Sequence, residues 1–452
     1  MVKIYNSLSN KIEEFKPIKE NEISMYVCGS TVYNDMHIGN ARPVVFFDVV
    51  GRFFRYIGYN VKFVSNFTDI DDKIIKKAEA EGVDESVISE RYIKSILETY
   101  NLLNCLPHYK NPKVTENMDN IINFIDMLVQ KEGAYVVEND VYFDVTKDED
   151  YGVLSGQTVE NLISGSRVEE NELKRHSCDF NLWKETTKGK KWDSPWGEGR
   201  PGWHTECVVM INNIFDGMID IHGGGSDLKF PHHENEIAQS MIAFNHHIAN
   251  YWMHNGRIDF NGEKMSKSIG NTIDAKELVK EIGHGAFRLI ILSVPYRQPL
   301  NYREEVLIQA KNDYEKIYKA KLSLVRKLQL QKNIVDYDGV IVQSEELVNI
   351  KNEFIAALSN DFNTANAITA IIKTVKIINT FTRQKDFDAH YALELLTLLN
   401  ELMWVLGIDK NINILTEEEL EVVLKWQEAR NDKNFELADE LRKIIVEKGI
   451  EL

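Results

Sequence analysis

The chain has 452 residues, 27% of them charged, and a formal net charge of −17. That length exceeds one typical domain, so several subdomains around a large core are expected; the acidic balance bears on solubility and steering and does not exclude a local basic groove. The four cysteines, Cys28, Cys105, Cys178 and Cys207, show no tight pairing, and no signal-peptide core or membrane-length apolar run is found. This excludes a disulfide framework and a membrane-spanning protein, and a soluble cytoplasmic protein is expected.

Residues 1–5 begin a strand, and the short apolar run 25–27 reads as another. Residues 28–30 break that run. From about Gly39 the spacing of Val44, Val45, Phe47, Val49, Val50, Phe53, Phe54 and Ile57 predicts a helix. A strand that turns through glycine into a helix start offers free backbone N–H groups and a positive dipole end, which suits phosphate. His37 and Asn40 sit at this turn, where an imidazole and an amide can face a triphosphate, and Gly39 lets the backbone come close. Taken alone, the tetrapeptide HIGN recurs by chance, and a turn histidine is ordinarily a polar surface group.

Alternating Val61 and Phe63 predict the next strand, which ends in Thr68, Asp69, Asp71 and Asp72 before a helix from Ile74. Strand, helix, strand, helix at this spacing is a βαβ unit with a parallel sheet. The three aspartates have metal-ligand chemistry, but a capping cluster at a helix start is the favoured reading. From 109 to 200 the pattern turns irregular and polar: a helix over 118–133, a hairpin over 134–145, then Gly/Ser-rich turns. It reads as an insertion between two halves of a nucleotide-binding fold. His176 and Cys178 form a lone H-x-C pair and are discounted as ligands. The Pro/Gly-rich string ending near Trp203 fixes a loop whose tryptophans can wall a pocket.

The second half opens with a helix over 205–215 bearing Cys207, then a strand from Ile219 into Gly223, Gly224 and Gly225, followed by Asp227. Three glycines let the backbone press against a flat ligand such as adenine or ribose. A further helix is expected from Pro231, with His232 and Glu236 four apart on one face. A hydrogen-bonded pair on a solvated face explains them unless further ligands exist. Cys28 ends the first core strand and Cys207 opens the second half, so in a doubly wound sheet both fall at the switch point. Cys28, Cys207, His232 and Glu236 then make a tetrahedral zinc set of two sulfurs, one nitrogen and one oxygen. Downstream, Lys264 and Lys267 in the string KMSKS suit a pyrophosphate leaving group. Helices are expected around Leu278 and Val279, over 285–293, over 304–330 and, as a bundle, over 354–381 and 391–406. Lys311, Lys316, Lys319, Lys321, Arg326, Lys327 and Lys332 form a solvated face or a basic stripe for a nucleic-acid backbone.

HIGN followed by KMSKS resembles the class I aminoacyl-tRNA synthetases, with Asn40 in place of the usual second histidine. The strings CGSTVY (28–33), NFTDIDDK (66–73), GWHTEC (202–207), HGGGSDL (222–228) and PHHENE (231–236) resemble the cysteinyl members. The resemblance implies an α/β fold, a Rossmann-like doubly wound parallel sheet split by an insertion, then a helical bundle and a small C-terminal module. The corresponding segments are 1–108, 109–200, 201–256, 257–303 with the KMSKS loop, 304–407 and 408–452. It implies one zinc per chain on Cys28, Cys207, His232 and Glu236, and ATP with Mg²⁺ held by His37, Gly39, Gly223, Gly224, Asp227 and Lys267. His37, Asn40, Lys264 and Lys267 would be catalytic, and Cys28, Thr68 and Trp203 would touch cysteine. The substrates would be cysteine, ATP and tRNA(Cys), the last read partly by 408–452; the chain would be a monomer without an editing domain. Cysteine ligases that act on an amino sugar share the zinc and phosphate motifs but lack the extended C-terminus. A catalytically dead relative is opposed by the intact lysines and ligands.

Overall fold

The structure is a computed structural model and describes residues 1–156, 173–265, 270–331, 335 and 339–452, with Lys264 described by its backbone alone. It comprises two compact units: Met1–Glu281 with Tyr296–Tyr302, and Ile282–Pro295 with Arg303–Leu452.

The first unit is built on four parallel strands in the spatial order Ala249–Asn255, Ile219–Gly225, Glu22–Val27 and Asn60–Ser65. Five of the six residues in Glu22–Val27 are buried, as a central parallel strand covered on both faces requires. Glu22–Val27 pairs with Asn60–Ser65 on one side and with Ile219–Gly225 on the other. Crossovers therefore diverge beside it, and a crevice opens at the carboxyl ends of Glu22–Val27 and Ile219–Gly225. Register puts Val27 opposite Gly223, and the Cys28 N–H donates to the Gly223 carbonyl at 3.2 Å. The helix Ile38–Tyr56 covers one face with Val45, Phe46, Phe47, Val49, Val50, Phe53 and Phe54. A Cβ on Gly223 would lie 2.2 Å from the Phe47 ring, so packing under this helix already demands that glycine.

The segment expected to be an insertion between the two halves holds the helix Met118–Gln130 and an antiparallel sheet of Ala134–Val137, Asp140–Phe143, Phe180–Glu185 and Gly199–Pro201. It does not stand apart. Ile121, Phe124, Ile125 and Leu128 share one apolar cluster with Tyr26, Val64, Ile219 and Trp252. The helix is amphipathic, and its apolar stripe finds the helices Glu206–Phe215 and Glu234–Phe244. Asp71 caps the helix Asp72–Glu81 by accepting from the Lys73 N–H at 2.8 Å, while Asp69 accepts from Thr115 N–H and Oγ1. The helix expected from Pro231 begins at Glu234 instead, because Phe230 is extended (φ −139°, ψ 133°) and residues Lys229–His233 form a wide turn.

The second unit is helical: His284–Leu292, Glu304–Leu330, Glu345–Ser359, Thr364–Phe381, Ala389–Leu406, Glu417–Asn431 and Phe435–Glu447. The apolar stretch 354–381 is two helices, parted where Asp361 and Phe362 take φ of 54° and 50°. The basic row on the long helix is not a free stripe. Lys321 Nζ donates to the Lys410 carbonyl, Arg326 to those of Asn413 and Glu451, and Lys327 to those of Thr382 and Gln384. Lys316 and Lys319 pair with Asp313 and Glu315 on their own helix. Lys332 lies outside the described residues.

Gly407 ends the helix Ala389–Leu406 at φ 67°, and a Cβ there would sit 2.3 Å from the Arg288 guanidinium carbon. Arg288 is fully buried and donates to the Leu406 carbonyl at 2.7 Å. Left-handed strain and this collision act together. Gly407→Ala is expected to cost about 2 kcal/mol and lower the thermal midpoint by about 4–8 °C. An unchanged midpoint in calorimetry would show that the guanidinium moves aside freely.

Candidate active site and metal centre

Two strand ends and two helix starts converge at the crevice. Cys28 follows the strand Glu22–Val27, and Cys207 lies in the first turn of Glu206–Phe215. His232 lies in the wide turn 229–233, and Glu236 lies in the first turn of the following helix. Their donor atoms lie within 4.8 Å of one another. Cys28 Sγ is 3.5 Å from Cys207 Sγ and 3.6 Å from Glu236 Oε1, while His232 Nε2 is 2.9 Å from Glu236 Oε1 and 3.8 Å from Cys207 Sγ. The four residues named from sequence thus meet at one point. Two sulfurs, an imidazole nitrogen and a carboxylate oxygen form a set that fits a tetrahedral, borderline-soft dication.

A ring of histidines that sequence reading missed surrounds this set. His222 Nε2 bonds Glu236 Oε2 at 2.6 Å, so the second carboxylate oxygen is held while Oε1 faces the thiols. His204 Nδ1 lies 3.0 Å from His232 Nδ1, which turns His232 Nε2 inward. His233 Nε2 faces Cys28 Sγ at 3.3 Å, and its other nitrogen bonds His254, which bonds Ser7 Oγ. Cys28, His222, His233 and Glu236 therefore form a second, overlapping donor set. It has one sulfur instead of two, and its His222 nitrogen is engaged in a 2.6 Å bond to Glu236. His222 and His233 lie in the strings HGGGSDL and PHHENE, but His204 and His254 lie outside both, and no local pattern links the four.

The electrostatics of the ring are divided. Burial pushes the Cys28 thiol well up, whereas Cys207, bonded to Cys28 and facing His232, is held down to about 6. Burial opposes charge on both His232 and Glu236, yet their mutual attraction outweighs it; His232 is raised to about 10 and the Glu236 carboxyl, with His222 also beside it, is held well below its usual range. Burial lowers His204 and His254 to about 3, so both are neutral hydrogen-bonding rings at neutral pH. Cys207 and Glu236 are thus biased toward the anionic forms that ligate a metal, whereas Cys28 and His232 favour protonated forms whose protons a metal must displace.

Trp203 stacks on His232 with ring centroids 4.1 Å apart and is 41% exposed, so it walls the mouth of the cluster. Thr68 is buried, and its hydroxyl donates to Glu206 Oε2 at 3.1 Å, which occupies the group expected to meet substrate. Burial and the neighbouring Cys207 raise the Glu206 carboxyl well above its usual range.

His37 is the N-cap of Ile38–Tyr56, and its Nδ1 accepts from the Asn40 N–H at 3.3 Å. Asn40 is exposed at the same turn. The hairpin Ile258–Phe260 and Glu263–Lys264 delivers Met265 to this turn: a Cβ on Gly39 would lie 3.1 Å from Met265 Cε. On the far side of KMSKS, the Ile38 N–H donates to the Ile273 carbonyl and His37 bridges to Asp274. The two motifs are therefore neighbours, although Lys267 lies outside the described residues. Gly224 packs against Leu228 and His233, and the exposed Asp227 folds back to Gly225.

His176 and Cys178 bond each other, the Cys178 N–H to His176 Nδ1 at 3.2 Å, and join no donor cluster among the described residues.

A family model described as the catalytic domain of class I (C) tRNA synthetases matches residues 14–312, and one described as a DALR domain matches 353–410. The chain is 44% identical over 450 residues to a cysteine–tRNA ligase of Acholeplasma laidlawii, covering 99% of this chain and 100% of that one. It is 42% identical to one of Anoxybacillus flavithermus, covering 99% and 97%. Among solved structures it is similar in fold to a Mycobacterium tuberculosis methionyl-tRNA synthetase in complex with methionyl-adenylate. That match has a TM-score of 0.61 at 14% identity and covers 89% of this chain and 90% of that one.

Proposed function

The chain belongs to the cysteine–tRNA ligases of the class I synthetases, and from that premise we propose that Cys28, Cys207, His232 and Glu236 hold one zinc ion that selects cysteine by its thiol. The observation that carries this reading is the convergence of those four donors beside the mouth walled by Trp203. Zinc bound there supplies a soft centre that favours thiolate and keeps a coordinated thiol deprotonated. Size alone would separate cysteine from serine or alanine by only about 1–3 kcal/mol. His222 and His204 orient the ligands Glu236 and His232, and Trp203 covers the amino-acid side chain.

ATP with Mg²⁺ lies along the helix start at His37. The cysteine carboxylate attacks the α-phosphorus, the bond to the bridging oxygen breaks, and pyrophosphate leaves with the electron pair. His37, Asn40, Lys264 and Lys267 meet the charge that grows on the phosphates. A hydroxyl of the terminal ribose of tRNA then attacks the adenylate carbonyl and AMP leaves. No residue of the chain acts as a nucleophile, so positioning and electrostatics supply the rate.

The C-terminal helices Glu417–Asn431 and Phe435–Glu447 are assigned to tRNA. Phe435 is 69% exposed at their turn, and Lys433, Arg442 and Lys443 make no ion pair among the described residues. The carbonyls of Lys410, Asn413 and Leu415 accept from the long helix, so a truncation after residue 416 keeps these and gives up the bond from Arg326 to the Glu451 carbonyl. Residues 1–416 should keep cysteine-dependent ATP–pyrophosphate exchange within about twofold, while tRNA charging falls about 100-fold or more and the residual binding loses part of its salt dependence. Normal charging by the truncated chain would make the helix pair a packing element. Exchange lost together with charging would refute the separation of the two roles.

A further inference from the structure

The proposed phosphate motifs come from two separate pieces of chain, and adenylate formation needs them held at a fixed separation. Arg42 lies in the second turn of the helix that His37 caps and is 1% exposed. Its Nη1 donates to the carbonyls of Gly256 and Arg257, both at 2.7 Å. Its Nη2 donates to those of Tyr296 at 3.2 Å and Gln298 at 2.7 Å. Residues 256 and 257 lead straight into Ile258–Phe260, the strand whose hairpin partner ends at Lys264. Residues 296 and 298 lead into Leu300–Tyr302, which pairs with that same strand in parallel.

The two segments are already stitched together: the Gly256 N–H donates to the Tyr296 carbonyl, and the Leu300 N–H to that of Arg257. A Cβ on Gly256 would fall 2.4 Å from the Gln298 oxygen, so their approach leaves no spare room. One turn along the helix, Phe46 stacks on Tyr296 with centroids 4.3 Å apart and planes 13° apart. Arg42 and Phe46 thus grip the base of the hairpin at two points from the helix that begins with the first motif. The Arg42 guanidinium spends its donors on peptide carbonyls, a planar fork geometry that one ammonium cannot reproduce.

We propose that Arg42 is a positioning residue for adenylate formation, fixing the hairpin that carries Lys264 and Met265 in register with His37 and Asn40. It touches no substrate. The inference rests on the assignment of those two motifs to the ATP phosphates. A displacement of the hairpin by about 1 Å is enough to cost roughly 100-fold in rate while the metal cluster, on other strand ends, stays intact.

Arg42→Lys, which keeps the charge, and Arg42→Ala are compared with the unaltered chain and with His37→Ala. For Arg42→Lys the turnover of cysteine-dependent ATP–pyrophosphate exchange should fall about 30–100-fold. The KM for cysteine and the zinc content should stay within about twofold. Added guanidinium should restore part of the rate to Arg42→Ala and none to His37→Ala. Unchanged turnover in Arg42→Lys, or loss of zinc and cysteine affinity in step with turnover, overturns the positioning role. Should the Arg42 variants not fold, Phe46→Leu removes the second point of the grip and must show the same split between turnover and KM. If His37→Ala is itself fully active, the motif assignment fails; if His37→Ala is slow and Arg42→Lys is not, only the present inference fails.

Discussion

Lys267→Ala is expected to lower the turnover of cysteinyl-adenylate formation by about 100- to 1,000-fold while weakening ATP binding by no more than about twofold. Both ends of the loop that carries it are pinned to the first motif. Met265 packs at Gly39, and on the other side Ile273 and Asp274 bond to Ile38 and His37. On the proposed assignment, Lys267 meets the negative charge that grows on the leaving pyrophosphate. An ammonium that meets charge only as it develops contributes to turnover, whereas one that grips the ground state contributes to affinity. Single-turnover adenylate formation at saturating ATP, beside an independent ATP dissociation constant, separates the two. A loss confined to ATP affinity would make Lys267 a uniform binder.

The parts of this site that were legible in the sequence are those whose residue types are rare and whose spacing is local. HIGN, KMSKS and the pair His232/Glu236 carry their chemistry within five residues, and Cys28 and Cys207 fall at predictable strand and helix ends. The histidine ring was not legible, because His204, His222, His233 and His254 come from four different elements and only the fold gathers them. The same holds for the basic row on Glu304–Leu330. Its lysines look free along the helix, but the carbonyls that take up Lys321, Arg326 and Lys327 come from residues 382–384, 410–413 and 451. Gly223 carries a second constraint that the sequence did not reveal. Besides the ligand its missing side chain suggested, Phe47 from the covering helix fills the space a side chain would take. The break at Asp361 and Phe362 carries no glycine or proline to announce it, so one apolar period concealed two helices.

Cys207→Ser is expected to carry less than about a tenth of the zinc of the unaltered chain and to raise the KM for cysteine by about 100-fold or more, since losing a ligand should cost more than the 10- to 100-fold of an outer-shell change. The choice of Cys207 is deliberate, because it belongs to one of the two overlapping donor sets and not to the other. Its thiol is held down to about 6 by its hydrogen bond to Cys28 and by His232, a bias toward the thiolate that binds metal. A serine hydroxyl at the same place keeps its proton and offers a hard oxygen in place of soft sulfur. His233→Gln tests the rival set: it removes a donor found only there and should leave the zinc in place. Cys105→Ser, at a cysteine outside both sets, should change neither metal nor KM. Preference for cysteine over serine in ATP–pyrophosphate exchange should collapse only in Cys207→Ser, because the thiol is then read by shape alone. Full zinc content with ordinary cysteine use in Cys207→Ser would sink the assignment, and zinc lost from His233→Gln instead would move the ion to Cys28, His222, His233 and Glu236.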